Sequence, residues 1–189
     1  TDPRIPAWPP PSPRGFTAGD LDRIPCLPVH SEPIDGRLVL PRPRTEFHTT
    51  VLSPLEAGTR RTASPGFRVR REMSVVPGPD RREPGLSVVH AEAYQGPETT
   101  AYRAADVVLA VEVVSRLTVR DREFKPHRCA RAGIPHFRRV EHDGGRPAVH
   151  VHALGPAVLA YVPTGVHRDR LRLAVPSPID IDLTEIERR

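Results

Sequence analysis

The stretch that decides the fold is Asp106-Val-Val-Leu-Ala-Val-Glu-Val-Val-Ser115. Apolar, largely β-branched and without polar alternation, it predicts a strand over 106–114 buried on both faces, and therefore central in a sheet. Glu112 is the one charge inside that run. A carboxylate there costs free energy unless it is ion-paired or bound to a metal. An ion-paired Glu at the strand end and a functional Glu fit the flanks equally well. The period of two puts Glu112 on the face of Ala110 and Val108. Asp106 has the same parity but lies about 20 Å away along an extended strand, too far to share a ligand with Glu112. It is read as the start of the strand.

Working outward, Lys125 is the only lysine among 28 Lys and Arg residues. Arg is a planar, permanently charged fork, whereas Lys is a compact ammonium on a flexible stem. A lysine kept against so strong a preference for Arg marks a place where a guanidinium does not serve. The surrounding residues predict a polar helix over 118–132 ended by Gly133, with Pro126 a poor interior residue. A helix after a central strand can return over the strand's end, which would bring Lys125 beside Glu112. A carboxylate that holds a divalent cation and a lysine that stabilises charge on phosphate suit phosphodiester hydrolysis.

The rest of the chain supplies a frame. Residues 1–16 carry six prolines and read as an extended, disordered leader, with one domain over 17–189. A short helix over 17–24 has Thr17 as N-cap. Asp35-Gly36 signals a hairpin. A helix over 48–63 follows, with Pro54 near its first turn or breaking it. Strands are expected at 67–75, 86–90, 136–141 and 148–154, the last two joined by an Asp143-Gly144-Gly145 turn. Extended segments at 171–175 and 179–183 and a helical stub after Thr184 close the chain. The sum is an α/β domain: a mixed central sheet flanked by helices, with a C-terminal hairpin.

Composition narrows the function. A net charge of +5 favours a polyanionic partner. Aromatics at 5% argue against a platform that stacks single-stranded bases. Cys26 and Cys129 are too few and too far apart for a disulfide framework or a cysteine zinc site, so a reducing, cytoplasmic setting is expected. No stretch approaches the roughly 20 apolar residues of a membrane span, and the first residues lack the apolar segment of a signal peptide.

Three segments, Val107 to Ser115, Arg120-Asp-Arg-Glu-Phe-Lys125 and Ala130-Arg-Ala-Gly-Ile-Pro-His-Phe137, together resemble the Uma family of putative restriction endonucleases, within the PD-(D/E)XK nuclease superfamily. Ile34-Asp-Gly-Arg-Leu38 resembles that family's opening hairpin, and Ile179-Asp-Ile-Asp-Leu183 its C-terminal strand. The resemblance implies a restriction-endonuclease-like fold and Mg²⁺-dependent cleavage of DNA, with homodimerisation. It implies that Glu112 binds the metal, that Lys125 is the lysine moved from strand to helix, and that Glu32 is the acidic residue before the first hairpin. It also exposes departures. Gly85, in Glu83-Pro84-Gly85, stands where the metal-binding Asp is expected, leaving Glu83 as a candidate to reach inward. Cys129 replaces a Tyr, Arg138 a Trp, and Arg116 a Pro. An active nuclease and a catalytically inactive nucleic-acid-binding or interaction protein of the same fold both remain open.

Other residues are read as structural: Cys129 as a small buried side chain, Ser115 as a turn or cap residue, and Asp121 as a first-turn acid. His150 and His152 share a strand face, a spacing that can bind zinc; without a clear third ligand they are read as solvent-facing. His127 and His136 are further candidates near Lys125.

Overall fold

The computed structural model describes residues 8–41, 43–114, 124–155 and 157–188. Six strands form the central sheet: β3 (Phe67–Arg71), β5 (Leu86–His90), β7 (Val107–Val114), β8 (His136–Asp143), β9 (Arg146–Gly155) and β10 (Ala160–His167), in the spatial order β10-β9-β8-β7-β5-β3. β7 and β8 run parallel, and every other neighbouring pair is antiparallel. The parallel pair needs a crossover, and α3 (Lys125–Arg131) lies on it. β7 is central and buried along its whole length, as its apolar run predicts.

The two faces of the sheet carry separate cores. On one, α2 (Glu46–Thr62) packs Val51, Leu52 and Leu55 against Leu86, Val88, Leu109, Val111 and Val113. The C-terminal hairpin of β11 (Arg170–Leu173) and β12 (Ile179–Asp182) completes this core with Leu171, Ile179 and Ile181. On the other, Cys129 and Ile134 cover Val107, Ala110 and Phe137. A parallel pair of β4 (Ser74–Val76) and β6 (Ala101–Arg103) adds Val75 and Tyr102 to this second core. α1 (Ala18–Leu21), capped by Thr17 through a capping box with Asp20, precedes the hairpin of β1 (Glu32–Ile34) and β2 (Arg37–Val39). The Asp35-Gly36 turn has positive φ at both residues, as the dipeptide predicts.

Several elements differ from expectation. α2 starts two residues early and runs through Pro54. A proline there costs about 3 kcal/mol, which burial of Val51, Leu52 and Leu55 offsets. α2 also presses close to the hairpin: a Cβ on Gly58 would lie 2.3 Å from Ile181 Cδ1. The strand expected over 67–75 breaks at Glu72, whose φ of 51° turns the chain out of the central sheet and into β4. Val108 joins the α2-side core, where the β5–β7 ladder shifts register between Val88 and Val89. Glu112 therefore shares its face with Ala110 and not Val108. β6 and β10 carry too little apolar periodicity to be read in advance; β10 is an exposed edge strand that tolerates Pro163.

α3 is described from Lys125, so Pro126 falls in its first described turn. The earlier part of the predicted helix, with Ser115, Arg116 and Asp121, lies outside the described residues. Gly133 ends α3 with φ of 78°, and Ile134 N–H donates back to the Cys129 carbonyl at 3.1 Å. Of the predicted leader, residues 1–7 lie outside the described residues; at its end Phe16 N–H donates to the Gly36 carbonyl at 2.8 Å.

Candidate active site at the end of the central strand

Glu112 and Lys125 meet. Lys125 Nζ donates to Glu112 Oε2 at 2.9 Å, with the two side chains 26% and 10% exposed. The geometry follows from matched spacings. Cys129 and Lys125 are one helical turn apart on one face of α3, about 6 Å along its axis. Ala110 and Glu112 are two residues apart on one face of β7, about 6.6 Å along the strand. Cys129 packs in the core that holds Ala110, so Lys125 falls over Glu112.

Glu32, at the start of β1, enters the same electrostatic field. Burial raises its pKa most; the positive charge of Lys125 pulls it back and the negative charge of Glu112 raises it further. Its Oε1 accepts the Glu83 backbone N–H at 2.8 Å. That bond is the route by which Glu83 contributes to the site. The Glu83 carboxylate pairs with His30 Nδ1 and lies 3.7 Å from Arg44 Nη2, so it is engaged there and not by the Glu112–Lys125 pair. Glu83, expected as a metal ligand, presents its amide to Glu32 here, while its carboxylate faces His30 and Arg44.

Gly85 lies where β5 approaches the end of β7. A Cβ there would meet Leu52 Cδ1 at 3.3 Å, the Val111 carbonyl oxygen at 3.5 Å and His48 Cε1 at 3.7 Å. The position is walled by α2. His48, buried on α2, takes part in a second polar group: its Nε2 lies 3.3 Å from Glu72 Oε1 and 3.0 Å from Arg44 Nη1. Burial lowers the His48 pKa most and Arg44 lowers it further, while Glu72 and then Glu112 raise it. No group of three or more His, Cys, Asp or Glu side chains converges as a metal site among the described residues. Among the described residues Glu112 accepts from Lys125 and Glu32 feels its charge, and one or two carboxylates are what Mg²⁺ commonly takes from a protein, keeping several waters. The donor set present fits that ion.

The neighbouring departures have structural explanations. Cys129 is buried and its pKa is pushed up to about 12, first by burial and next by the Glu112 charge; it stays a thiol and serves as packing. Arg138 points to the other face, where it is 4% exposed and donates from Nη2 to the Val175 carbonyl at 3.1 Å. Burial lowers its pKa to about 10. It ties the loop before β12 to the sheet. His152 is not solvent-facing as expected: its ring packs against Phe137 and Tyr161. His150 lies 3.5 Å from Glu141 Oε2. The exposed His127 and partly buried His136 sit on and just after α3.

Beside Lys125 a cleft of about 510 Å³ opens between the β1–β2 hairpin and α3. Among the described residues Arg37, Arg82 and Arg128 line it with Lys125 and one acid, Asp35. Sequence reading missed these arginines, because Arg is common throughout the chain and nothing local distinguishes the buried Arg82 from its neighbour Arg81.

This architecture is that of a nuclease-type α/β domain. A crystal structure described as that of "a putative nuclease belonging to DUF820 from Anabaena variabilis ATCC 29413" superposes with a TM-score of 0.68 at 15% identity, covering 92% of this chain and 98% of that one. At that identity the likeness speaks for the fold. The chain itself matches the Uma2 family, described as "Putative restriction endonuclease", over residues 20–184, and it belongs to that family. No curated protein matches it. Membership supports a nuclease function, and among the described residues no helix is long and apolar enough to cross a membrane.

Proposed function

We propose that the protein hydrolyses phosphodiester bonds of DNA with the help of a divalent cation, Mg²⁺ by preference, in the cytoplasm. The observation that carries this reading is the 2.9 Å contact between the lone lysine and the carboxylate of the central strand. Glu112 and Glu32 would hold the cation. When bound, it would polarise the phosphoryl oxygen and lower the pKa of a coordinated water. Glu112 also fixes the ammonium of Lys125, which is positioned to neutralise charge that develops on the phosphate. The Glu83 amide orients Glu32. The basic cleft supplies electrostatic attraction for the nucleic-acid backbone.

The test pairs cleavage with binding. Wild-type protein should cut DNA only with a divalent cation, and Glu112→Ala should stop cutting. Binding with a steep salt dependence and no metal-dependent cutting would favour an inactive binder of the same fold, for which the absent carboxylate at Gly85 is the supporting observation. Homodimerisation belongs to the same proposal and is read by light scattering.

A further inference from the structure

We infer that the cleft beside Lys125 receives an unstacked nucleotide of single-stranded DNA, its phosphate on Arg82 and its base against Phe124. The inference rests on the nuclease reading for the class of ligand, and on the cleft for the rest.

Arg82 is the first reason. It is only 6% exposed, yet its Nε and Nη2 have no hydrogen-bond partner. A buried guanidinium usually satisfies its fork, since an unsatisfied donor on a charged group keeps its full desolvation penalty. Its nearest acid, Asp80, lies 3.8 Å from Nη2, and the same Asp80 oxygen accepts from Arg128 Nη1 at 2.8 Å. The backbone holds Arg82 in place: its N–H donates to the Val75 carbonyl at 2.9 Å, and Val75 N–H returns the bond at 2.6 Å. Arg82 stands in the wall of an open cleft with its Nε and Nη2 buried and without a hydrogen-bond partner, and an anion that enters the cleft would complete its fork. A phosphate oxygen matches the planar fork.

The second reason is the apolar part of the same cleft. Phe124 is 54% exposed, and Ile34 and Val39 line the cleft beside it. Duplex DNA presents phosphates and groove edges, and has no use for an exposed ring next to cations. An unpaired base offers a π-face that stacks on such a ring. Low aromatic content argued against a stacking platform, but content does not say where a ring stands. One Phe at the lip of a cationic cleft suffices for one base.

The experiment measures anisotropy of a labelled single strand of about a dozen nucleotides, and of the matching duplex, in chelator with the full-length Glu112→Gln protein, so that no chemistry intervenes. The single strand should bind more tightly than the duplex. Phe124→Ala should weaken single-strand binding about tenfold and leave duplex binding unchanged. Arg37→Ala should weaken both and lower the salt slope by about one. Arg82→Lys keeps the charge and removes the fork; it should weaken the single strand, and a melting curve checks its folding. Equal affinity for both forms, or a silent Phe124→Ala, overturns the inference whatever Arg82→Lys does. If the single strand binds as expected but wild-type protein never cuts DNA with Mg²⁺, the cleft assignment stands and the nuclease reading falls. If the protein cuts and Phe124→Ala is silent, the reverse holds.

Discussion

The two faces of β7 differ in what they bury. Toward α2 the strand presents Leu109, Val111 and Val113 to a helix of 17 residues, and the contact is apolar throughout. Toward α3 it presents Ala110 and then Glu112 to a described helix of seven residues, and the contact passes from packing to an ion pair within one turn. One face contributes stability, because removing apolar surface from water is favourable at about 25 cal/mol per Å². The other accepts desolvated charge, which rarely repays its own burial. Stability and chemistry can therefore be damaged separately by substitutions a few ångströms apart.

That separation can be broken most severely at Glu112. Glu112→Ala should reduce metal-dependent cleavage at least about a hundredfold, the scale of losing one charge-stabilising group, with a melting temperature near that of wild type. Cleavage rates and thermal melts on the same preparation check both halves. Across the strand, Leu52→Ala should show the opposite pattern. It empties a fully buried position and should cost about 2–5 kcal/mol in denaturant unfolding, while the folded fraction cuts at the normal rate.

A smaller effect concerns Glu32. Burial raises its pKa, so the folded state holds the proton more tightly than the unfolded state does. Its stability contribution is fully present below the unfolded value of about 4.3 and is lost as pH rises through the raised folded value. Glu32→Gln, which can still accept the Glu83 N–H, should therefore stabilise the protein at neutral pH. The gain should shrink as pH falls toward 4.3. Unfolding of both proteins across pH tests it, and a gain that grows on acidification would show that the carboxylate is not held at a raised pKa.

Gly85→Asp sharpens the comparison, because a side chain at position 85 enters beside Leu52 and His48 of α2. The new side chain must displace the Leu52 methyl, 3.3 Å from its Cβ, at about 1 kcal/mol. It should also add a third carboxylate near the Glu112 site and tighten Mg²⁺ binding severalfold by calorimetry. The smallest expected effect is chemical. In the native protein a thiol reagent should titrate exposed Cys26 and leave Cys129, whose pKa of about 12 keeps it protonated; denaturation should expose the second thiol.

Much of the frame was legible before folding. A run as apolar as 107–114 has one place to go, the middle of a sheet. Dipeptides such as Asp35-Gly36, and Gly133 after a helix, select backbone conformations that few other residues adopt. Strands with weak periodicity, β6 and β10, were not legible, because a largely exposed edge need not alternate. The break at Glu72 was hidden for a similar reason: Phe67, Val69, Met73 and Val75 keep the parity of one strand, although they serve two sheets.

The candidate site was half legible. The charge within an apolar run and the single lysine in an arginine-rich chain singled out Glu112 and Lys125, because both break a local statistical habit at an energetic cost. Their 2.9 Å contact, the turning of Glu83 toward His30 and Arg44, and the buried Nε and Nη2 of Arg82 without a hydrogen-bond partner break no local pattern. They depend on which end of a helix lies over which end of a strand. Local sequence sets backbone preference and burial; which side chains finally share a pocket is decided when the elements pack.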